Sequence, residues 1–414
     1  MMSIAINILK AILAFIYLLL KRLPTNSHKV LFASRQANRP SEDFEDLQKE
    51  LRSTVPDIKI ITICCRFSRA RDLPRFALAS LRSMYHLATS KVCILDAYWP
   101  VVSILKHKKD LTVIQMWHAL GKIKKSGFQT LDGSYGRSAG LAKHLNMHAN
   151  YDYIIAGGRA WNKYYCESFG VSEDVLVNVG LPRIDHLIAT QEEKRANFFS
   201  KYKELEGKKI ILYAPTYRKG LDHKRYTEEL IKLIDFDRYA LIVRSHPNQK
   251  NRVENDAILT CKGFKTISLL AASDYLITDY SAIAIEAAVL NIKTYYYLYD
   301  YEEYSKNNGI NIDLPVVMKS CVFHDAEKLM NSLTKKKYPQ KALDRYRSDY
   351  LPPELGTSTQ KIAALVAEKL SLEKKDAEEQ VAKAKDAPKA DSTPAKVAEP
   401  KPKTKVPAKA KDAQ

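Results

Sequence analysis

One segment constrains the fold of this chain more than any other: SDYLITDYSAIAIEAAVL, residues 273–290. Residues 275–277 have the apolar character of a buried strand, and residues 282–288 are strong helix formers. Ser281 stands between them as the expected N-cap, because its side-chain oxygen can accept from free amides of the first turn. Those amides favour an anion, and ligands of open parallel sheets bind beyond the carboxyl ends of the strands. The segment predicts a phosphate site, with an ordinary capped helix as the alternative.

The same alternation of strand and helix recurs along the chain, which predicts an α/β fold with parallel sheets. It divides into a first half, residues 25–190, and a second half, residues 191–371, each the size of one α/β domain. The predicted strands lie at 29–36, 58–66, 91–100, 110–121 and 151–158 in the first half, and at 208–218, 239–247, 273–281 and 292–300 in the second.

The two ends of the chain differ from the halves between them. Residues 4–20 are apolar except for Asn7 and Lys10, and a spanning helix needs about 20 apolar residues. We predict that residues 1–24 form a membrane-associated segment lying in the interface, with a signal anchor or a buried helix as alternatives. Residues 372–414 are rich in Lys, Ala and Pro, so we predict a disordered basic tail, either a solvated linker or an arm for an anionic surface.

Charge and cysteine usage narrow the classes of function. The chain has 66 basic and 47 acidic residues, a net charge of +19, which implies acidic partners such as phosphates or an anionic membrane. Its six cysteines form no C-x-x-C pair, so we expect buried thiols and neither disulfides nor a zinc site. The chain has no P-loop, no dinucleotide-binding glycine motif and no nucleophile elbow. We predict no catalytic metal and no cofactor.

Two histidines stand where predicted strands end, one in each half. They are His118 in QMWHALG and His246 in VRSHP, and either imidazole could accept a proton near neutral pH. Taken singly, each is more often a structural histidine, but their equivalent places favour a shared site. Side chains of the types that bind phosphate surround them: Arg218, Arg244, Lys122, Lys124 and Lys125. For the lysines, a solvated surface position is the stronger alternative.

Four motifs taken in order resemble the CDP-glycerol glycerophosphotransferase family, the teichoic acid primases and polymerases. They are QMWHALGKIKKSGF, YAPTYR, RSHP and ITDYSAIAIEAA, and the resemblance extends over roughly residues 30–370. It implies a GT-B fold, in which two Rossmann-like domains face each other across a cleft. It also implies transfer of glycerol or ribitol phosphate from CDP-glycerol or CDP-ribitol to an undecaprenyl-diphosphate-linked saccharide, with release of CMP. The implied location is the cytoplasmic face of the cell membrane, as a peripheral or monotopic protein.

The resemblance also implies roles for particular residues. His118 matches the histidine of the Trp-His motif, the expected general base, and His246 matches the histidine that orients the donor pyrophosphate. The turn at the donor phosphates corresponds to Thr278, Asp279, Tyr280 and Ser281, and Glu286 stands where the family often has an acidic residue. The chain departs from the pattern at two places, with Ala119 after His118 and Ala282 after Ser281.

Other functions stay open at this point. A GT-B glycosyltransferase that uses a UDP-sugar would share the fold. A binding protein for an anionic polymer or nucleic acid would use the basic surface without turnover, but it should interleave cations with exposed aromatic residues. The tyrosines of YYYLYDYEEY fit a strand and turn better, so we expect no nucleic-acid partner. The choice between glycerol and ribitol, and between one added unit and many, is open.

Overall fold

The computed structural model describes residues 2–133, 136–218, 223–245, 249 and 253–370. His246 and the predicted tail, residues 372–414, lie outside the described residues.

Two parallel six-stranded sheets form the framework, which confirms the predicted α/β class. The first sheet has the strand order β2-β1-β3-β4-β5-β6. Its strands are β1 Asn26–Ser34, β2 Lys59–Cys64, β3 Ser90–Leu95, β4 Thr112–Gln115, β5 Tyr153–Ala156 and β6 Leu176–Asn178. Strand β3 is buried along its whole length, and its residues 92–95 form an apolar run without alternation, as expected where helices cover both faces of a parallel sheet.

The second sheet has the order β12-β11-β10-β7-β8-β9 and is also parallel throughout. Its strands are β7 Lys209–Ala214, β8 Tyr239–Val243, β9 Ile258–Leu259, β10 Tyr275–Thr278, β11 Lys293–Tyr297 and β12 Val322–Phe323. Strand β10, predicted from the segment at 273–290, pairs with β7 and β11 at the centre of this sheet. The carboxyl ends of β7 and β10 therefore lie side by side.

Helices connect the strands of each sheet. In the first half they are α1 Met2–Leu20, α2 Glu42–Thr54, α3 Leu73–Thr89, α4 Pro100–Ile104, α5 Ala139–His144, α6 Asn162–Phe169 and α7 Pro182–Ala189. In the second half they are α8 Gln191–Lys201, α9 His223–Leu233, α10 Thr266–Ala272, α11 Ile283–Val289, α12 Tyr301–Asn308, α13 Leu314–Val317, α14 Ala326–Lys335, α15 Gln340–Tyr350 and a last helix, α16, at 358–370.

The last helix returns to the first half. Asp185 of α7 caps it, accepting hydrogen bonds from the backbone amides of Ser358 and Thr359 at 3.2 and 2.7 Å. Near its other end, the Lys369 ammonium lies 4.9 Å from the ring centre of Tyr153 in β5. Residues 358–370 fall within the predicted second half, whereas these contacts join them to the first sheet.

The N-terminal helix α1 is attached to the first half on one side only. The Tyr17 side chain is buried and its hydroxyl lies 2.8 Å from Nδ1 of His107, while Lys10 donates to the carbonyl of His144 at 2.7 Å. Ile8 and Phe15 are 57% and 63% exposed, so α1 is not a buried helix. In the described part of the chain, no helix has the length and apolar character needed to cross a membrane.

Candidate active site in the cleft between the sheets

A cavity of about 700 Å³ lies between the two halves, at the carboxyl ends of strands from both sheets. The first half contributes residues 117–119 and 121–126, which follow β4, and the second half contributes 214–217, 244–245, 280–283, Thr266 and Tyr304. This size is in the range of small-molecule sites. Its described lining includes the cations Lys122, Lys124, Lys125 and Arg244 and no carboxylate, so the cavity suits an anionic ligand.

The backbone before His118 adopts a conformation that is rare for its residue type. Trp117 has φ of +59°, in the left-handed region that a bulky side chain seldom occupies. Its ring lies 4.2 Å from the imidazole of His118, centre to centre, and 5.1 Å from Phe169. Backbone strain of this kind persists only where surrounding contacts maintain it, and it is concentrated at functional sites. The turn directs His118 into the cleft.

The surroundings of His118 favour its neutral form. Nδ1 lies 3.1 Å from the backbone oxygen of Asp96 and 3.0 Å from the side-chain amide nitrogen of Gln36. Burial of the ring against the cleft wall lowers the pKa of His118, and the positive charges of Lys122 and Arg183 lower it further. A neutral ring protonated on Nδ1 donates to the Asp96 carbonyl, with the Gln36 side-chain amide turned so that its oxygen faces Nδ1, and Nε2 is left to accept a proton. The ring is therefore neutral and able to accept a proton at Nε2, while the lowered pKa makes it a weaker base than a free histidine.

Lys122 is held in an aromatic cage beside His118. Its ammonium lies 4.3 Å from the ring centre of Trp117, 4.1 Å from that of Phe169 and 5.2 Å from that of Tyr165, and it donates to the hydroxyl of Ser126 at 3.1 Å. The side chain is almost fully buried, and this burial lowers the pKa of Lys122 to about 7. Cation–π contacts stabilise the charged form in place of water, so the lysine connects the strained Trp117 to the cleft wall.

We expect stability to report the lowered pKa of Lys122. Between about pH 7 and the ordinary lysine pKa, the unfolded chain binds a proton at this site that the folded chain does not. The free energy of unfolding of the wild type should therefore rise relative to Lys122→Met by about 1 kcal/mol per pH unit between about pH 7.5 and 9.5. Urea unfolding at three pH values measures this, with exposed Lys163→Met as the control. If the difference in the free energy of unfolding between wild type and Lys122→Met is the same at all three pH values, the pKa of Lys122 is not lowered.

The second half contributes the turn that follows β10. Tyr280 and Ser281 line the cavity, and Arg244 joins them from the end of β8. Arg244 donates to the carbonyls of Thr260 and Phe264 at 3.1 and 3.2 Å, which fixes its guanidinium. The N-cap prediction for Ser281 is wrong: α11 begins at Ile283, and Ala282 occupies the cap position without a side-chain hydrogen bond.

Arg218, Thr278 and Asp279 lie behind the cavity wall rather than in it. Arg218 donates to both oxygens of Asp300 and, at 2.7 Å, to Asp279, and its guanidinium lies among the rings of three tyrosines. Asp279 accepts from the amide and hydroxyl of Thr216 at 2.9 and 2.5 Å, and Thr278 donates to the carbonyl of Ala214 at 2.7 Å. Direct phosphate contact by these three side chains, expected from the sequence, does not fit this geometry. They instead hold the loop after β7 against the turn after β10.

Glu286 also differs from its expected place at the donor. It is buried in α11, and its Oε2 has no hydrogen-bond partner among the described residues. Burial raises the pKa of Glu286, and the nearby charge of Arg183 opposes this shift. Arg183, in turn, donates to Asp43 and, at 3.3 Å, to the backbone carbonyl of His118. Glu286 is therefore related to His118 only through the charge of Arg183, which contacts the His118 backbone.

Several residues that complete the site are not predicted by the sequence motifs. Gln36 and Asp96 follow β1 and β3, so their position at strand ends was a signal that could have identified them. Gly121 lies where the cleft loop passes between the halves: a Cβ there would be 2.4 Å from Trp161 and 2.8 Å from Ile285 of α11. No local pattern indicates that close approach.

Comparisons with known proteins identify a matching family and related proteins. A family model described as CDP-glycerol:poly(glycerophosphate) glycerophosphotransferase matches residues 15–368. The teichoic acid ribitol-phosphate primase of Bacillus spizizenii is 26% identical over 376 residues, 87% of this chain and 96% of that primase. The teichoic acid glycerol-phosphate primase of Bacillus subtilis is 29% identical over 261 residues, 61% of this chain and 67% of that primase. A solved structure of the wall teichoic acid polymerase TagF shares the fold, with a TM-score of 0.66 at 19% identity over 84% of this chain and 90% of that chain.

Proposed function

The chain belongs to the CDP-glycerol:poly(glycerophosphate) glycerophosphotransferase family and is a CDP-polyol phosphotransferase of teichoic acid synthesis, and we propose that it uses the cleft to transfer glycerol phosphate or ribitol phosphate to a saccharide linked to undecaprenyl diphosphate. The observation that carries the proposal is that His118 lines a cavity whose described lining contains Lys122, Lys124, Lys125 and Arg244 and no carboxylate.

The reaction follows from this placement. An acceptor hydroxyl gives its proton to Nε2 of His118, and its oxygen bonds to the β-phosphorus of the CDP-polyol. The bond between that phosphorus and the bridging oxygen breaks, and CMP leaves with the oxygen. Arg244, Lys124 and Ser281 at the cavity wall stabilise the charge on the phosphate oxygens, which is most of what phosphoryl transfer requires. His246, outside the described residues, is proposed to orient the donor pyrophosphate.

Donor turnover tests the proposed function. CMP release is measured with CDP-glycerol and with CDP-ribitol in turn, using a saccharide on undecaprenyl diphosphate as acceptor. We expect release with one of the two donors at a rate at least tenfold above the other. Consumption of a UDP-sugar with neither CDP-polyol turned over would instead assign a glycosyltransferase, and salt-sensitive polymer binding without turnover would assign a binding protein.

We further propose that α1 and α3 dock the protein on the cytoplasmic face of the cell membrane as a peripheral or monotopic protein. Ile4, Ile8, Ile12 and Phe15 form an exposed stripe along α1, each more than half exposed. Helix α3 packs against α1 and adds exposed Leu73, Leu78 and Leu81. A stripe of large apolar side chains with flanking Lys21 and Arg22 is typical of a helix that lies in the interface.

Charge placed in the apolar stripe should release the protein from membranes. Ile12→Glu/Phe15→Glu is expected to weaken binding to vesicles of phosphatidylglycerol and phosphatidylcholine by about 10²-fold or more, since each large side chain contributes about 1.5–3 kcal/mol on burial. Cosedimentation measures this. The control is Val316→Glu, which changes a residue 71% exposed on α13. Equal binding of both variants would show that α1 stays out of the bilayer.

A further inference from the structure

A second cavity, of about 390 Å³, lies beyond the carboxyl end of β2. Residues 62–65, at the end of β2, form one wall with Asn38, and α3 forms the other through Arg75, Leu78 and Arg82. Positions 75, 78 and 82 are spaced three and four residues apart, so they share one face of α3. The cavity therefore has a strand end with Thr62 and two thiols on one side and a helix face with two arginines on the other.

The two arginines are available for an anion. Both are exposed, and within the described residues neither forms an ion pair with a carboxylate. The cavity lining contains no Asp or Glu among its described residues. Guanidinium groups match the oxygens of phosphate with paired donors, and a site with two of them suits a ligand that carries two phosphates.

The cavity lies between two surfaces already described. Leu78 belongs both to the cavity and to the exposed leucines of α3, and it is 69% exposed. On the other side, Asn38 accepts from the backbone amide of Arg66 at 2.9 Å and follows Gln36 by two residues, which span at most about 7 Å. Gln36 contacts the ring of His118. A ligand here has apolar surface at one end and the candidate base at the other.

We propose that this cavity, named here the acceptor pocket, binds the diphosphate of the lipid-linked acceptor, with Arg75 and Arg82 as its counter-ions. The polyprenyl chain then follows the leucines of α3 into the bilayer, and the saccharide extends past Asn38 toward His118. In this position the diphosphate contacts the two guanidinium groups, and the polyprenyl chain contacts apolar side chains and the bilayer. Neither the charged part nor the apolar part of the acceptor then loses water without a compensating contact. This inference rests on the proposed function and adds the position of its acceptor.

The experiment is a comparison of two acceptors. Wild type and Arg75→Gln/Arg82→Gln are assayed for CMP release in nonionic detergent, so that vesicle binding does not limit the rate. One acceptor is the saccharide on undecaprenyl diphosphate, and the other is the same saccharide on an uncharged alkyl glycoside. The control is Arg225→Gln/Arg345→Gln, which removes two arginines that are 72% and 85% exposed on α9 and α15.

The double variant should raise the KM of the diphosphate acceptor about tenfold or more relative to wild type and control, with the KM of the CDP-polyol unchanged. With the uncharged acceptor, the variant and wild type should be equal. An unchanged KM for the diphosphate acceptor, or an equal loss with both acceptors, would overturn the acceptor pocket and leave the proposed function standing. If the double variant loses only vesicle binding in the cosedimentation assay, the arginines contact phospholipid headgroups, and the acceptor pocket is overturned as well. Absence of CMP release by the wild type with either donor would overturn both proposals.

Discussion

Replacement of His118 by alanine is expected to lower the rate of CMP release by about 10²- to 10⁴-fold, the typical contribution of one general base. The physical reason is that Nε2 is the proton acceptor in the cleft, held in the neutral form by burial and by neighbouring cations. The KM of the CDP-polyol should change little, because the cations that bind phosphate stay in place. Steady-state kinetics with saturating acceptor separates kcat from KM and measures both effects.

A matched control for His118→Ala is His28→Ala, which removes an exposed histidine of β1. The control should turn over at the wild-type rate. If His118→Ala keeps its rate within a few-fold of wild type while remaining folded, His118 is not the base. An equal fall in kcat and rise in donor KM would instead indicate that the imidazole binds the donor.

Substitution of Arg218 by methionine should destabilise the protein by about 3–5 kcal/mol, because it leaves Asp279 and Asp300 buried without a counter-ion. Activity should fall as well, since Asp279 holds Thr216 at the cavity wall. Denaturant unfolding followed by circular dichroism measures the stability. Arg218→Lys keeps the charge but loses the paired geometry, so its effect should be intermediate.

Two further variants separate loss of the ion pair from loss of the side chain. Arg225→Met removes one partner of an exposed pair with Glu229 and should cost less than about 1 kcal/mol. The double variant Arg218→Met/Asp279→Asn lacks one of the two charges that Arg218→Met leaves unpaired. Its loss of unfolding free energy should therefore be smaller than the sum of the losses in the two single variants. Additive losses would show that Arg218 and Asp279 are not coupled.

The elements could be predicted from the sequence because their signals are local. Strand β10 follows from an apolar run that ends in a polar turn, and α2 begins directly after Ser41, a residue type preferred as N-cap, which accepts from the amide of Phe44 at 3.4 Å. His118 was found because it directly follows an apolar strand, a position at which α/β folds bind ligands. Periodicity and strand ends therefore predict nine of the twelve described strands and the candidate base, but not the short strands β6, β9 and β12.

The partners of charged side chains could not be predicted in this way. Arg218 was expected to bind phosphate, but its guanidinium is taken by Asp300, which is 82 residues away in sequence and comes close only when the second sheet forms. Lys122 resembles a surface lysine until Trp117, Tyr165 and Phe169 enclose it. The acceptor pocket likewise needs α3 to be placed against the end of β2, and no local pattern encodes that distance.

The return of α16 to the first half affects how the chain can be assembled. Ile362 and Val366 are fully buried, and Asp185 is bonded to the start of this helix. During synthesis the last strand of the first sheet, which ends at residue 178, leaves the ribosome about 180 residues before α16. The apolar surface that α16 covers is therefore exposed until the end of the chain has been made. A fragment cut near residue 190 would expose that surface and should aggregate. The first half therefore completes its fold only when the whole chain has been made. A chimera that exchanges halves between relatives has to include residues 358–370 together with the first half.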